Sequence, residues 1–173
     1  MEEVANVIKE KRQLCKNDFN AEVVLFEPEI PQNTGNIART CAALGCSLHL
    51  IEPLGFSLKD RYLRRAGLDY WHLVDVTCYP NIDTFFEANK HGSFFLVTRY
   101  GKRSYHEINF RGRVYFIFGK ETAGLPDTLT TQYPDACLRI PMRPEARSLN
   151  LSNAVALVLY EAYRQNGFPG LQK

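Results

Sequence analysis

Long apolar runs and targeting signals are missing from this sequence of 173 residues. No uninterrupted apolar run approaches the roughly 20 residues that a membrane-spanning helix needs. The first residues include Glu2 and Glu3, followed by Lys9, Lys11 and Arg12, so they lack the basic-then-apolar order of a signal peptide. We therefore expect a protein of the cytoplasm that does not associate with a membrane.

Metal-binding and nucleotide-binding signatures are missing as well. The five cysteines form no C-x-x-C pair, and the four histidines form no H-E-x-x-H pattern. We expect reduced, mostly buried thiols and no metal. The P-loop spacing G-x-x-x-x-G-K-[ST] and the dinucleotide pattern G-x-G-x-x-G are both absent, which argues against an ATPase or an NAD enzyme.

A strong overall charge is also lacking, because the formal net charge is only +2. Any nucleic-acid surface must then come from local clustering of basic residues. Two such clusters occur, at residues 59–65 and 99–113. Each is also compatible with an ordinary solvated helix or loop.

The length suits one domain with a single core. Hydrophobic residues make up 45% of the chain and charged residues 23%, which is typical of a globular protein. Residues 1–20 carry only a weak helical stripe, and we interpret them as an N-terminal extension. Residues 21–173 are then the folded domain.

Short apolar runs of strand type alternate with helical patterns along this domain. Residues 22–26 predict a strand, and P-E-I-P-Q-N-T-G-N at residues 28–36 predicts a loop. The helix after this loop presents Ile37, Cys41 and Leu44 on one face and ends at Gly45. Further strands are predicted at residues 47–51, 73–79, 93–98, 114–118 and 136–140, and further helices at residues 82–89 and 127–132. This order favours an α/β fold, with a mostly parallel sheet and helices on both faces.

A long helix is predicted after the last strand, at residues 151–164. Its apolar residues recur at i, i+3, i+4, i+7, i+8 and i+11, the spacing of one helical face. They are Leu151, Ala154, Val155, Val158, Leu159 and Ala162. Hydroxyl and amide side chains surround the helix start, at Ser148, Asn150, Ser152 and Asn153. Such a cluster can hold a ligand at the positive end of a helix, or it can be an N-cap with spare polar residues on a solvated turn.

Polar clusters follow three of the predicted strands, at the sheet edge where parallel α/β proteins bind ligands. Asn33, Asn36 and Arg39 follow the first strand at a spacing that would present them along one side of a helical turn. Residues 119–126 follow the strand at 114–118, and residues 141–153 follow the last strand.

Each cluster also has an ordinary structural explanation when it is taken alone. Asn33 can be a helix cap, and Glu121 can be a surface carboxylate. Gly119 and Gly124 can be turn residues that need a positive φ.

Taken together, the clusters resemble the three motifs of the SpoU branch of the SPOUT methyltransferases. The motifs are N-T-G-N-I-A-R-T at residues 33–40, F-G-K-E-T-A-G-L-P at 118–126, and I-P-M with R-S-L-N-L-S-N-A-V at 140–142 and 147–155. The runs L-R-R-A-G-L-D-Y-W at 63–71 and Y-E-A-Y-R-Q-N-G-F-P-G at 160–170 are similar to those of the tRNA wobble-nucleotide 2′-O-methyltransferase subgroup. The resemblance covers residues 23–170.

The resemblance implies a C-terminal trefoil knot, an exception to the near absence of knots in proteins. It also implies a homodimer that binds S-adenosylmethionine in the knotted cleft and acts on the anticodon stem-loop of a tRNA. Carried over residue by residue, the implied cofactor pocket consists of Val97, Thr98, Gly119, Glu121, Gly124, Ile140, Met142, Ser148 and Leu149. The implied catalytic residues are Asn36, Arg39, Ser148 and Asn150, and the implied RNA contacts are Asn33, Arg39, Arg61, Arg64 and Arg65.

The chemistry of methyl transfer to a ribose hydroxyl assigns roles to these residues. The reaction is an in-line displacement that depends mainly on alignment of two reactants. Because a guanidinium stays protonated, we predict that Arg39 binds the phosphate beside the target and stabilises the developing alkoxide, and does not act as a base. Glu121 is expected to order the motif loops by hydrogen bonds, and Ser148 and Asn150 to orient the ribose or the methionine end of the cofactor.

Several aromatic residues have two interpretations. Tyr70, Trp71 and Tyr100 can stack on loop bases, although a lone aromatic more often packs in a core. Tyr160 and Tyr163 lie away from the apolar stripe of the last helix, which predicts a second buried surface such as a dimer contact.

Two alternative functions stay open at this point. One keeps the fold and changes the target to ribosomal RNA or another site on tRNA. The other is a non-catalytic RNA-binding module.

Overall fold

A computed structural model describes residues 19–58 and 70–172 of the chain. Most of the predicted N-terminal extension lies outside these residues. The basic cluster at residues 59–65, with Arg61, Arg64 and Arg65, lies outside them too. The division into an extension and a domain stays a prediction.

The described residues form a seven-stranded parallel sheet in the order β3-β2-β1-β6-β4-β7-β5. The strands are β1 (Asn20–Phe26), β2 (Leu48–Ile51), β3 (Val76–Tyr79), β4 (Ser93–Val97), β5 (Arg103–Ser104), β6 (Arg113–Phe118) and β7 (Cys137–Arg139). In β1 and β6, every residue after the first is buried. A parallel sheet requires this, because helices cover both of its faces.

The helices of the described residues divide between these two faces. They are α1 (Pro31–Leu44), α2 (Ile82–Ala88), α3 (Asp127–Gln132) and α4 (Leu151–Gln165). Residues of α1 and α4 pack in one hydrophobic cluster with Val23 and Leu25 of β1, whereas Phe85 of α2 and Leu129 of α3 pack in a second cluster with Val24. The predicted α/β class, with a parallel sheet and helices on both faces, is confirmed.

Helix α1 begins earlier than the sequence predicts. Its first residue is Pro31, whose missing N–H and fixed φ suit the first helical position. Its N-cap is Ile30, which makes no side-chain cap hydrogen bond. Asn33 therefore lies inside the first turn, and its interpretation as a helix cap is wrong. Gly45 ends the helix with φ of 69°, as predicted.

Helix α4 uses its predicted apolar face. Val155, Val158, Leu159 and Ala162 of that face are fully buried. Tyr163 is buried as well, and its hydroxyl donates a hydrogen bond to the carbonyl oxygen of Leu44 at 2.9 Å. The prediction of Tyr163 as a dimer contact is wrong, because its side chain belongs to the core of its own chain.

Smaller differences occur at the edges of the sheet. Strand β5 is only two residues long and carries no apolar alternation, so sequence pattern misses it. The predicted strand at 73–79 is shorter, because Trp71–Leu73 forms a 3₁₀ turn before β3. The described cysteines are free, and Cys41, Cys46 and Cys137 are buried as expected. The trefoil knot stays a prediction.

Membrane-spanning helices and metal-binding clusters are both absent from residues 19–58 and 70–172. None of their helices is long and apolar enough to cross a membrane. In the same part of the chain, no group of three or more His, Cys, Asp or Glu side chains could hold a metal ion.

Candidate active site

A cavity of about 740 Å³ lies at the carboxyl edge of the sheet, where β4, β6 and β7 end. Its lining includes Val97 at the end of β4, Phe118 at the end of β6, and Ile140 directly after β7. All nine residues of the predicted cofactor pocket line it, and so do Asn33 and Asn150. The loops meet because their strands are neighbours in the sheet, which is the usual place for a ligand in this type of fold.

The loop after β6 closes on itself at two glycines. The N–H of Gly124 donates a hydrogen bond to the carbonyl oxygen of Lys120 at 2.8 Å. A Cβ at Gly119 would lie 2.0 Å from the carbonyl carbon of Gly124, so no side chain fits there. Gly124 itself has φ of 72°, a left-handed conformation that favours glycine. The two glycines thus give the cavity a wall of bare backbone.

Glu121 connects this loop to the start of α1. Its carboxylate accepts hydrogen bonds from the backbone N–H groups of Glu29 at 2.9 Å and Ile30 at 3.3 Å. It also accepts one from the side-chain amide of Asn33 at 2.9 Å. Both N–H groups precede Pro31, so the carboxylate holds the backbone that leads into α1 and does not cap the helix itself. Its negative charge suits the positive end of a helix.

Asn33 and Asn150 extend this connection to the third motif. The amide of Asn150 donates to the side-chain oxygen of Asn33 at 3.0 Å. The side-chain oxygen of Asn150 also caps α4, because it accepts from the N–H of Ser152 at 2.9 Å. Asn150 is therefore both an N-cap and a link between motifs, and Glu121, Asn33 and Asn150 hold all three motif loops together.

A second set of contacts joins the loops after β1 and β6. These contacts were not predicted from the sequence. The ammonium of Lys120 pairs with the carboxylate of Glu27 at 2.6 Å, and this pairing raises the pKa of Lys120. The hydroxyl and N–H of Thr122 donate to the carboxylate of Glu29, which lowers the pKa of Glu29. The sequence signal for these contacts was the pair of acidic residues in E-P-E, directly after β1, which complements the lysine and threonine of G-K-E-T after β6.

Asn36 and Arg39 do not line the cavity. Both are exposed on α1, whereas Asn33 is buried. A step of three residues along an α-helix covers about 300°, which is about 60° less than a full turn. Each side chain in the series Asn33, Asn36 and Arg39 is therefore turned further away from the cavity than the one before it. The guanidinium of Arg39 lies over the ring of Tyr70, 4.6 Å from its centroid. Within one chain, the predicted catalytic residues therefore separate into Ser148 and Asn150 at the cavity and Asn36 and Arg39 outside it.

Comparisons with known proteins agree with this geometry. The sequence profile of the SpoU rRNA methylase family matches residues 20–160. A tRNA (cytidine(34)-2′-O)-methyltransferase from Saccharophagus degradans is 50% identical over 149 residues, which cover 86% of this chain and 97% of that protein. A solved structure that gives insight into the 2-OH methylation of C/U34 on tRNA is 46% identical, with a TM-score of 0.82 and coverage of 87% of this chain and 98% of that chain.

A more distant solved structure carries a bound cofactor. It is a SpoU methyltransferase from Streptomyces viridochromogenes in complex with AdoMet, 27% identical, with a TM-score of 0.76 and coverage of 87% of this chain and 59% of that chain. The likeness therefore extends over the sheet, the cavity and all three motifs. The chain belongs to the SpoU rRNA methylase family.

Proposed function

We propose that this protein is an S-adenosylmethionine-dependent tRNA methyltransferase that methylates the ribose 2′-hydroxyl of the wobble nucleotide, a cytidine or a modified uridine. The observation that carries the proposal is the cavity, which brings all nine predicted cofactor residues to one sheet edge. The target is supported by the relatives named for cytidine 34 and for C/U34 of tRNA, which match this chain over nearly their whole length.

The cavity fits S-adenosylmethionine in size and in chemistry. A volume of about 740 Å³ lies in the range of ligand pockets. Val97, Ile140 and Leu149 offer apolar surface for an adenine ring, and the bare backbone at Gly119 allows close approach to the nucleoside. Ser148 offers a hydroxyl that makes no hydrogen bond with another described residue.

Bound S-adenosylmethionine supplies a methyl group on a sulfonium, ready for transfer to an oxygen nucleophile. The residues of this chain bind and align the reactants, and alignment of this kind contributes roughly 7 to 11 kcal/mol. Asn150 is held by Asn33 and by the start of α4, so its amide has a fixed position at the cavity. Ser148 and Asn150 orient the ribose or the methionine end of the cofactor.

Arg39 and Asn36 reach this cavity, in our proposal, from a second copy of the chain. They are exposed on α1 and lie outside the lining of their own cavity. Leu157 and Tyr160 are also exposed, at 43% and 47%, on the outer face of α4, which packs beside α1. A homodimer through this side of the molecule would cover that apolar surface. Arg39 of the partner subunit would then bind the phosphate next to the target and stabilise the developing alkoxide.

We further propose that the phosphates of the anticodon stem-loop are contacted by Arg61, Arg64 and Arg65. We also propose that the protein acts in the cytoplasm. Binding through phosphates weakens steeply as salt concentration rises. Trp71 is half-buried and packs against the core. Tyr70 lies under Arg39, so of the predicted stacking residues Tyr100 is the most open, with 68% of its surface exposed.

The decisive experiment is transfer of a labelled methyl group from S-adenosylmethionine to total RNA, followed by mapping of the labelled nucleotide. We expect label on the ribose of the wobble nucleotide of particular tRNAs. Label on ribosomal RNA or at another tRNA position would favour the alternative target. A protein that binds RNA but, in titration calorimetry, does not bind S-adenosylmethionine would be a non-catalytic RNA-binding module.

A further inference from the structure

A second concave surface lies next to the cavity and carries four arginines. Arg99, Arg139, Arg143 and Arg147 line it, and we call it the arginine cleft. Its volume is about 350 Å³, and all four arginines are exposed. The rest of its lining is Tyr100, Ile140, Pro141, Met142, Pro144 and Ala146.

The fold brings these arginines together from two neighbouring strands. Arg99 follows β4 and Arg139 ends β7, and Val97 of β4 pairs with Leu138 of β7. Arg143 lies in the turn after β7, where its carbonyl oxygen accepts a hydrogen bond from the N–H of Ala146 at 3.0 Å. A Cβ at Gly101 would lie 2.5 Å from the carbonyl carbon of Leu138, so the turn after β4 packs directly on β7. The cleft is therefore built on the sheet.

Among the residues that the structure describes, no carboxylate lines the cleft. Glu145 lies in the same turn as Arg143, but it is not part of the lining. Within residues 19–58 and 70–172, the side chains of Arg139, Arg143 and Arg147 form no ion pair and no hydrogen bond. Like charges gathered on one concave surface repel one another, and an anionic ligand removes that repulsion. Arginine is well suited to such a ligand, because its planar fork binds phosphate through two hydrogen bonds.

The cleft opens into the cavity of the proposed cofactor. Arg99, Tyr100, Ile140, Met142 and Arg147 line both. Tyr100 is 68% exposed, and the guanidinium of Arg99 lies 4.6 Å from its ring centroid. An exposed aromatic ring among arginines is typical of surfaces that bind single-stranded nucleic acid, where bases stack and phosphates pair with the cations.

We propose that the arginine cleft binds consecutive phosphates of the RNA strand that carries the methylated nucleotide, and that Tyr100 stacks on a base of that strand. This inference rests on the proposed function, and it names the part of the molecule that holds the loop strand beside the cavity. A single carboxylate, such as that of the cofactor's methionine end, would engage one guanidinium. Four arginines instead suit a ligand that carries one negative charge per nucleotide, such as an RNA strand.

The test uses Arg139 and Arg143, because these two arginines line the cleft and not the cavity. The double variant Arg139→Gln with Arg143→Gln is compared with a control, Lys90→Gln with Arg164→Gln, which removes two exposed cations elsewhere. The probe is a fluorescent anticodon stem-loop RNA with cytidine at the wobble position, titrated at several salt concentrations. Titration calorimetry with S-adenosylmethionine and a thermal unfolding curve are recorded for each protein.

We expect the cleft variant to bind this RNA roughly tenfold more weakly, and the slope of log Kd against log salt to fall by about 1.5, the value for two lost phosphate contacts. Its affinity for S-adenosylmethionine and its Tm should equal those of the wild type, because Arg139 and Arg143 form no ion pair with another described residue, whereas the control loses the ion pair of Arg164 with Glu161. The inference would be overturned if the cleft variant had the same RNA affinity and the same salt slope as the control variant. A loss of S-adenosylmethionine affinity would also overturn it, by assigning the cleft to the cofactor.

These measurements, taken together with the labelled methyl-transfer experiment, separate this inference from the proposed function. If the wild-type protein methylates the wobble nucleotide and the cleft variant binds RNA equally well, the cleft proposal fails alone. If the wild-type protein binds RNA but transfers no methyl group, and the cleft variant binds RNA more weakly, the cleft is an RNA site and the proposed function fails.

Discussion

At the scale of single residues, Gly119 shows how a missing side chain shapes the cavity. Because a Cβ there would lie 2.0 Å from the carbonyl carbon of Gly124 and 2.2 Å from the nitrogen of Leu125, the two backbone segments would have to separate. We expect Gly119→Ala to lower the free energy of unfolding by about 3 kcal/mol. It should also weaken S-adenosylmethionine binding at least roughly tenfold. Thermal unfolding and titration calorimetry measure the two effects.

Gly124→Ala is the matched control for this variant. Gly124 has φ of 72°, but nothing lies within 4 Å of the position of its Cβ. The substitution should cost about 1 kcal/mol of backbone strain. It should change cofactor affinity less than Gly119→Ala does. If both alanine variants bound the cofactor as tightly as the wild type, close backbone contact at Gly119 would not matter to binding.

Arg39 is the residue on which the proposed chemistry depends most. We expect Arg39→Ala to reduce methyl transfer at least roughly hundredfold, because a preorganised donor to the developing alkoxide is lost. S-adenosylmethionine affinity should stay nearly unchanged, since the proposed ligand of Arg39 is the RNA phosphate and not the cofactor. Methyl-transfer kinetics and calorimetry make the comparison, with Lys90→Ala as the control. An equal loss of cofactor affinity and activity would contradict the assignment.

At the scale of secondary-structure elements, the start of α1 depends on a carboxylate from another loop. Glu121 accepts hydrogen bonds from the N–H groups of Glu29 and Ile30 and from the amide of Asn33. Glu121→Gln removes the charge and replaces one acceptor oxygen by a donor, so at least one of these groups loses its partner. We expect a loss of about 2 kcal/mol in the free energy of unfolding, measured by denaturant titration.

The same variant should reduce methyl transfer, because Asn33 positions Asn150 at the cavity. Glu145→Gln removes an exposed carboxylate of the loop before α4 and serves as the control. If Glu121→Gln were as stable as this control, the three hydrogen bonds would not hold the motif loops together.

The elements that local pattern determines were predicted well from the sequence. Strand β6 is a continuous apolar run, and α3 has the predicted bounds at Asp127–Gln132. The start of α1 was missed because the helix has no side-chain cap, and the backbone ahead of it is held by Glu121, 91 residues from Ile30 along the chain, a contact that no local pattern records. The two-residue β5 was missed because it is too short for periodicity.

The candidate site divides in the same way. The cofactor residues share one sheet edge because their loops follow parallel strands, which the βαβ order predicts. The order β6-β4-β7, which makes these strands neighbours, was not predicted. The position of Arg39 relative to the cavity depends on the pitch of α1 and, in our proposal, on a second subunit. The rotation of about 60° per three residues follows from the helical period, but the contribution of a second subunit cannot be derived from spacing along the chain.

At the scale of the whole molecule, a buried carboxylate makes the stability depend on pH. Glu22 is 1% exposed, and its carboxylate contacts the ring nitrogen of His49 at 2.6 Å and the guanidinium of Arg113 at 2.8 Å. Burial raises the pKa of Glu22, but the hydrogen bonds and charges of His49 and Arg113 outweigh it, so the pKa lies below its ordinary value of 4.5. The carboxylate therefore stabilises the fold above the unfolded-state pKa, and this stabilisation is lost as the pH falls through the folded-state pKa.

We expect the free energy of unfolding of the wild type to fall below about pH 4.5, and Glu22→Gln to lose part of this acid dependence. At neutral pH the variant should be less stable by about 2 kcal/mol, the value of hydrogen bonds to a charged group. Glu87→Gln, at an exposed position on α2, is the control and should behave as the wild type. Denaturant titrations at several pH values test this, and parallel pH curves for Glu22→Gln and the wild type would contradict it.

The last prediction concerns the assembly, because the proposed site is complete only when Arg39 comes from a second subunit. We expect Arg39→Ala homodimers to be inactive, and Leu149→Glu homodimers too, since a charge in the cavity wall would exclude the cofactor. Two differently tagged chains, one with each substitution, are coexpressed and the doubly tagged dimers are purified. In such a dimer one site combines an intact cavity with Arg39 of the partner subunit, so roughly half of the wild-type methyl-transfer rate should return. If Arg39 acted on the cavity of its own chain, neither site would be intact and the mixed dimer would be as inactive as its parents. A chain that sediments as a monomer at assay concentration, and is fully active there, would contradict the assembly itself.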